Sequence, residues 1–447
     1  MSDELEQWKA ESIAIADAEQ YVDISLMMTK QGTPLQSIEN CIRAPEQDRC
    51  LTNRFRLNVL SNAIDITLPL PWDDGIGTRQ MTDADVIELA AYFEQAHDLR
   101  QKKKASDALI AVSQRNAWNP VKERFEKLSE WDGSNRAGHL FSWFLGAHDN
   151  DYTQAVERLF LSGGIIRTYH PGTKFDYMPV LVGGQGIGKS TLARKMALDG
   201  DWFTDGVMGI GTKEAAEIVQ GNLIIEVAEL DALKGRNLET TKAFISRTSD
   251  DYRASYGTHV ERHPRRFVLI GTTNANRFLT DATGNRRFLP IKCGEVSPML
   301  DLFSTEAEVI IEQAWAEMLH LYRQEGKLSL VPPRSIEQAV ANMQSEAAMD
   351  DPRIGEIEAW LDDRSHGERV CAAEIAEDAL NIPRPQKRYE IDDVHGIMER
   401  CFPDWEKLPK KCRIGSYGVQ LAYQKPAAWV NDSNTGNAQQ HYQQHAN

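Results

Sequence analysis

The residues best suited to chemistry lie in one stretch, LVGGQGIGKST at 181–191. It matches the pattern G-x-x-x-x-G-K-[ST], with Gly183, Gly188, Lys189 and Ser190 at the defining positions. Glycines let the backbone curl so that successive N–H groups point at a phosphate, and the following helix N-terminus adds positive potential. The lysine can reach the β- and γ-phosphates, and the serine hydroxyl can hold Mg²⁺. The stretch therefore predicts a site for ATP with Mg²⁺.

The sequence on either side of this loop favours the same interpretation. An apolar run at 177–180 is typical of a strand, and an apolar helical pattern follows the loop and stops at Gly200. An ordinary glycine-rich turn is the alternative, but it explains neither the strand nor the helix. The predicted nucleotide contacts are Gly183, Gly184, Gln185, Gly186, Ile187, Gly188, Lys189, Ser190 and Thr191.

A second apolar run ends in acidic residues about thirty positions later, in GNLIIEVAELD at 221–231. Phosphoryl transfer needs carboxylates beside the Mg²⁺ ion and the attacking water. Glu226 closes the apolar run, so we predict that it holds the metal with Ser190. Glu229 follows at a distance suited to a general base that polarises the water. The alternative is that either glutamate is a surface residue at a strand end.

Three polar residues further along could complete this chemistry. Asn274 ends the apolar strand 267–271 and its short GTTN extension, where an amide can hydrogen-bond a γ-phosphate or a water. Arg286 and Arg287 follow a turn, and an arginine from a neighbouring subunit can neutralise charge on the γ-phosphate. We predict that one of the pair acts in this way and that the other forms a structural ion pair.

The segment between these strands, 242–266, reverses the charge of the chain. It contains six Lys or Arg residues against three Asp or Glu residues, although the whole chain carries a net charge of −16. Interleaved tyrosines suit a loop that follows a single strand and stacks on its bases. A solvated loop with internally paired arginines is the alternative. The predicted nucleic-acid contacts are Arg253, Tyr256, His259, Arg262 and Arg265.

Composition limits the class of protein. With 41% hydrophobic and 26% charged residues the chain resembles an ordinary soluble protein, and its apolar runs are shorter than a membrane span requires. The first residues are acidic and lack the apolar core of a secretory signal. Six scattered cysteines without a C-x-x-C pair argue against zinc or disulfide frameworks. We therefore expect a cytoplasmic protein.

Changes in pattern along the chain indicate several domains. Residues 353–430 read as short helices followed by a strand pair, which could form a winged helix or a plain packing domain. The predicted divisions are an N-terminal α+β domain of unknown role (1–119), a helical collar (120–173), an ATPase core (174–295), a helical extension (296–350), the small C-terminal domain (353–430) and a disordered tail (431–447).

Seven sequence blocks, taken in order, resemble the virulence-associated protein E family, whose members are phage- and island-encoded ATPases similar to superfamily 3 helicases. The resemblance covers roughly residues 50–350. The blocks are WDG (131–133), PGTKFD (171–176), GGQGIGKST (183–191), EVAELD (226–231), FISRTSDDYRASYG (244–257), GTTN (271–274) and TGNRRF (283–288).

This resemblance implies a fold and a function. The implied fold is α/β, with an AAA+-like P-loop core between a helical N-terminal region and the small C-terminal domain. The implied assembly is a homo-oligomer, a hexameric ring, that hydrolyses ATP at its subunit interfaces and acts in replication of a mobile element. Single-stranded or forked DNA and other replication proteins are the implied partners. Thr173 stands where relatives often carry Cys, and upstream primase motifs are not apparent.

Two alternatives to an ATP-driven DNA helicase or translocase stay open. One is an oligomeric regulatory ATPase that acts through protein partners without unwinding DNA, which the acidic charge favours. The other is a small-molecule or nucleotide kinase. It is disfavoured because Asn274, Arg286 and Arg287 suit a ring ATPase and an acceptor-site motif is not visible.

Overall fold

The computed structural model describes residues 24–73, 77–206, 215, 218–228, 230, 236–252, 260–279, 285–348, 352–365 and 367–425. The chain divides into two compact units, residues 1–348 and 349–447, which are treated separately below. Within the described residues, no helix is long and apolar enough to cross a bilayer. The predicted tail at 431–447 lies outside the described residues.

The first unit begins with a small α+β region. Its elements are α1 (Ile38–Gln47), β1 (Phe55–Asn58), β2 (Ala63–Ile66), β3 (Arg79–Gln80), α2 (Asp83–His97) and α3 (Lys102–Arg115). Thr82 precedes α2, and its backbone N–H donates to the Asp85 carboxylate at the start of that helix. The strands β1 and β2 pair antiparallel and are joined by a turn. Trp118 extends this sheet, because its N–H donates to the Leu57 carbonyl.

Three helices form the predicted collar, namely α4 (Pro120–Glu126), α5 (Leu140–Leu145) and α6 (Asp151–Tyr169). Asn119 and Asn150 cap α4 and α6 with side-chain oxygens, as free helix N-termini require. Glu157 on α6 is buried and accepts three backbone N–H groups, those of Gly138, Leu140 and Phe141. A buried carboxylate therefore joins α6 to the start of α5, in addition to the apolar packing between these helices.

A five-stranded parallel sheet forms the centre of the first unit. Its elements are β4 (Met178–Val182), α7 (Lys189–Met196), β5 (Phe203–Thr204), β6 (Ile224–Val227), α8 (Arg236–Ile245), β9 (Val268–Thr273) and β10 (Phe288–Lys292). The strand order is β10-β4-β9-β6-β5, and every pairing is parallel. The strands β4, β6 and β9 are buried along their whole length, as expected for strands covered on both faces.

An antiparallel hairpin, β7 (Ser249–Tyr252) and β8 (Glu261–Pro264), lies in the chain between α8 and β9 and pairs only within itself among the described strands. Two helices complete the first unit, α9 (Glu306–Glu325) and α10 (Glu337–Glu346). The indole of Trp315 on α9 is buried and donates to the Met196 carbonyl at the end of α7. In the predicted helical extension at 296–350, the first α-helix begins at Glu306.

The second unit has its own core around Ile357, Val370, Val394 and Tyr423. Its elements are α11 (Pro352–Asp362), β11 (Arg369–Cys371), α12 (Ala372–Glu374) continued by a π-turn to Ala379, α13 (Arg388–Cys401), β12 (Glu406–Lys407), β13 (Cys412–Ile414), β14 (Gly418–Gln420) and β15 (Ala422–Gln424). The antiparallel sheet has the order β11-β15-β12, and β13 and β14 form a separate hairpin.

Candidate functional site

The glycine-rich loop at 183–188 joins the end of β4 to the start of α7. Gly186 and Gly188 have positive φ values of 85° and 96°, a region that other residues rarely adopt. A Cβ on Gly183 would lie 2.7 Å from the Cys293 carbonyl oxygen, and one on Gly188 would lie 2.8 Å from a Leu302 methyl group. The loop is therefore closely packed at both ends and requires glycine at each of these positions.

Lys189 begins α7, and its side chain folds back over this loop. Its ammonium donates to the carbonyl oxygens of Gly183 at 2.6 Å and Gly184 at 2.8 Å, and to Asn274 Oδ1 at 3.0 Å. Only 8% of the residue is exposed, and burial lowers the pKa of the lysine. Three oxygens therefore hold a largely buried positive charge beside the loop.

The carboxylate of Glu226 ends β6 beside the same loop. Its Oε1 accepts hydrogen bonds from the Ser190 hydroxyl at 2.7 Å and the Thr272 hydroxyl at 2.5 Å. Glu226 is 1% exposed, and no described group donates to its Oε2, which is also buried. A buried carboxylate oxygen without a donor is costly, and its position next to Ser190 points to an additional ligand.

Parallel pairing explains why these side chains meet. Val182 is in register with Thr273, and Val227 with Gly271, so β4, β9 and β6 end at one edge of the sheet. The predicted residues Lys189, Ser190, Glu226 and Asn274 are therefore brought together by this edge. Thr272 was not among the predicted site residues. The sequence feature that could have identified Thr272 is its place in the GTTN block. Alternate residues of a strand face opposite sides of the sheet, so a polar residue in a fully buried strand such as β9 can face a neighbouring polar side chain.

The remaining predicted catalytic residues are placed differently. Glu229 lies outside the described residues. Arg287 is half-buried, and its Nε donates to the Ser246 hydroxyl at 2.7 Å. Arg286 is exposed at the surface of the first unit. The two arginines therefore differ in surroundings, since one is held inside the subunit and the other faces outward.

One of the predicted nucleic-acid contacts is wrong, because Arg265 at the end of the hairpin β7–β8 is buried. Arg265 is buried, at 2% exposure, and forms a bidentate ion pair with Asp250 at 2.6 and 2.8 Å. Its guanidinium carbon also lies 4.1 Å from the centre of the Phe244 ring. We therefore assign Arg265 a structural role and remove it from the nucleic-acid contacts. Arg262 is exposed and lies 3.4 Å from Asp251.

The three other predicted nucleic-acid contacts, Arg253, Tyr256 and His259, lie outside the described residues. The described base of the hairpin is nevertheless firmly anchored. Tyr252 stacks on His263 with ring centres 3.8 Å apart, and the Tyr252 hydroxyl accepts a hydrogen bond from Asn62. Position and orientation of the hairpin are thus fixed at its base.

Comparison with solved structures gives matches of low sequence identity. The apo structure of the NrS-1 C-terminal region is 13% identical, covers 83% of this chain and 96% of that one, and has a TM-score of 0.44. An A-form apo structure of the same region is 11% identical, with the same coverage and a TM-score of 0.42. A search of curated proteins finds no match.

Comparison with protein-family models gives a match over residues 125–349, just over half of the chain. The matched range contains most of the predicted collar, the central sheet, the loop at 183–188 and the hairpin, and it begins later than the resemblance noted in the sequence. The match agrees with the family that the seven sequence blocks indicate. The chain belongs to the family defined by the virulence-associated protein E-like domain.

Proposed function

We propose that this protein is an ATPase whose first unit binds ATP and Mg²⁺ at the carboxyl edge of the central sheet. The observation that carries the proposal is the pair of linked contacts Lys189–Asn274 and Ser190–Glu226, which join the loop to two neighbouring strands. The position of β9 between β4 and β6 supports an AAA+-like core, in which a polar strand end lies beside the phosphate loop.

The residues present fit this ligand. Backbone N–H groups of the loop and the N-terminus of α7 can bind phosphate oxygens, and Lys189 can exchange carbonyl partners for phosphate. The unpaired Oε2 of Glu226 and the Ser190 hydroxyl can accept a hydrated divalent cation. When bound, Mg²⁺ neutralises charge on the phosphates. Asn274 can orient a water, and Glu229 remains our proposed general base.

The decisive test is the steady-state rate of ATP hydrolysis. Lys189→Ala should lower the rate by at least about a thousandfold, because the charge that stabilises the transferred phosphoryl group is lost. Lys195→Ala is the matched control, since Lys195 lies on the same helix but pairs with Glu308 at the surface. Full activity in Lys189→Ala, or equal loss in Lys195→Ala, would reject the assignment.

We further propose a hexameric ring in which Arg286 acts on the ATP of a neighbouring subunit. Its exposure supports this assignment over Arg287, which is held by Ser246. Mixing inactive Arg286→Ala subunits with inactive Lys189→Ala subunits should restore part of the activity, because some interfaces then contain both intact residues. Absence of recovery at every mixing ratio would contradict action between subunits.

For the biological role, we propose an ATP-dependent DNA helicase or translocase of the superfamily 3 type, acting in cytoplasmic replication of phage or mobile-element DNA. The hairpin β7–β8 next to β9 would contact single-stranded or forked DNA. Stimulation of ATP hydrolysis by single-stranded DNA is the expected result, followed by strand displacement. Other replication proteins would load the ring.

We propose that the second unit is a winged helix. The order helix, strand, two helices, strand, hairpin and strand supports this, as does the sheet order β11-β15-β12. Its helix α13 carries Glu390, Asp392 and Asp393, which repel phosphates, whereas Lys410 and Lys411 precede the hairpin. Recognition of an origin would therefore use the hairpin rather than α13.

A regulatory ATPase without unwinding activity is the second candidate. The net charge of −16 favours it, and so do the described strands of the hairpin, where Arg262 has an acidic neighbour and Arg265 is buried. Robust ATP hydrolysis that is unaffected by any nucleic acid would select this alternative over the helicase.

A further inference from the structure

A cavity of about 580 Å³ lies in the first unit between the N-terminal sheet and α4, away from the loop at 183–188. Its lining includes Asn53, Arg56, Asn116, Trp118, Glu123 and Lys127. The volume is within the range of small-molecule sites, about 300–1,000 Å³. The N-terminal residues have no role in the proposed ATP site, so the chemistry of this cavity is independent of it.

Two flat groups form one wall of the cavity. The guanidinium carbon of Arg56 lies 4.7 Å from the centre of the Trp118 ring. Arg56 is held in place by Glu123, at 3.0 Å, and by the Asn116 carbonyl, at 3.4 Å. The Trp118 backbone is hydrogen-bonded to the neighbouring strand, which fixes where its ring begins. Nucleobases stack on both indole rings and guanidinium planes, so this wall is a rigid stacking surface.

The charges and amides in the cavity select the type of ligand. Arg56 and Lys127 outnumber Glu123, so the lining is cationic although the chain as a whole is acidic. The side-chain amides of Asn53 and Asn116 have no hydrogen-bond partner among the described residues, and each offers both a donor and an acceptor. Such amides can pair with the edge of a base.

From these features we infer that the cavity binds a nucleoside phosphate, with the base against Trp118 and Arg56 and the phosphate near Lys127. The unit recognised is either a free nucleotide or one residue of a single strand. A purely apolar ligand would leave the two cations and two amides of the lining without partners. The cavity thus provides a nucleic-acid or nucleotide site that is separate from the hairpin β7–β8.

The test uses the full chain carrying Lys189→Ala, without Mg²⁺, so that nucleotide at the loop does not contribute. The two probes are AMP, measured by calorimetry, and an oligo(dT) of about ten residues, long enough for one binding site. Lys127→Ala should weaken the probe that binds here about fivefold, and for the oligonucleotide it should reduce the salt slope by about 0.7. Lys122 is an exposed lysine on α4, the helix that Lys127 directly follows, and Lys122→Ala should change neither quantity.

A second measurement locates the probe. Oligonucleotide containing iodouracil should crosslink on irradiation to the peptide that holds Trp118, and Trp118→Leu should abolish that crosslink. If Lys127→Ala weakens the binding of AMP alone, the ligand of the cavity is a free nucleotide. If it weakens the binding of the oligonucleotide alone, the ligand is one residue of a single strand. Unchanged binding of both probes in Lys127→Ala and in Asn116→Leu would overturn the inference.

The binding test of the cavity does not depend on whether the protein is an ATPase. Because the assay is made in the Lys189→Ala protein, failure of ATP hydrolysis in the wild-type protein would reject the ATP site and leave the cavity result unchanged. Equal weakening by Arg262→Ala and by Lys127→Ala would show that the oligonucleotide spans both surfaces. Weakening by Arg262→Ala alone would assign the strand to the hairpin and overturn the inference for the oligonucleotide.

Discussion

The sheet edge and the base of the β7–β8 hairpin both bury charged side chains, but they satisfy them differently. Glu226 has two donors on Oε1 and no described donor on Oε2. Arg265 uses three nitrogens, two on Asp250 and one on the Phe244 carbonyl. A buried charge whose hydrogen bonds are complete holds the fold, whereas one with unused capacity indicates a ligand. Four predictions test this distinction.

The largest expected effect is on stability. Arg265→Leu should destabilise the first unit by about 3–5 kcal/mol, because it leaves the buried Asp250 carboxylate without its partner. Chemical denaturation followed by circular dichroism measures the change. Arg262→Leu, on the neighbouring exposed side chain, should shift stability by less than about 0.5 kcal/mol. Similar values for the two variants would remove the structural role of Arg265.

Glu226→Gln should lower activity without lowering stability, the opposite of what we expect for a buried structural charge. The substitution keeps the shape but removes the charge, so ATP hydrolysis should fall about a hundredfold, equivalent to about 2.7 kcal/mol. The melting temperature should stay level or rise, since an unpaired buried carboxylate oxygen is replaced by a neutral group. Glu308→Gln at the surface is the control. A large loss of stability with normal turnover would make Glu226 structural.

Thr272→Val tests whether the orientation of Glu226 matters. Loss of the hydroxyl removes one donor from Oε1 and should lower kcat/KM about fivefold to tenfold, because such a hydrogen bond contributes about 1 kcal/mol. Thr272→Ser retains the hydroxyl and should restore most of the activity. Equal rates in the valine and serine variants would exclude this hydrogen bond from the site.

The smallest effect is expected for Arg262→Ala on the exposed strand of the hairpin. One lost phosphate contact should weaken oligo(dT) binding about twofold to fivefold and reduce its salt slope by about 0.7. Arg262→Lys keeps the charge and should retain the slope. An unaltered slope in the alanine variant would remove β8 from the nucleic-acid surface.

The difference between the sheet edge and the base of the hairpin also explains what could be predicted from the sequence. Lys189, Ser190 and Asn274 were found because fixed spacing and parallel strands determine where strand ends meet. Arg265 was misassigned because a count of charges cannot show that Asp250, earlier in the chain, lies beside it across the hairpin. Arg262 and Arg265 therefore received one prediction but have different surroundings, since Arg262 is exposed and Arg265 is buried.

The N-terminal cavity and Thr272 show a second limit. Trp118 and Arg56 are far apart in sequence and meet only because Trp118 adds to the sheet edge of β1, so spacing alone gives no signal. Thr272 lies within a recognised block, yet its role depends on the direction its side chain takes from β9. The α/β fold and the meeting of the loop at 183–188 with the ends of neighbouring strands were thus accessible from the sequence, and most other contacts between elements were not.

The contacts of Lys189 bear on how tightly any anion can bind. Its ammonium already has three oxygen partners, two of them backbone carbonyls that substitution of side chains cannot remove. An incoming phosphate must compete with them, so its affinity reflects only the difference between two sets of bonds. That exchange would also release Asn274, which directly follows the neighbouring strand β9. Binding of an anion at the loop would thereby change the contacts at the end of β9, the strand that follows the hairpin in the chain.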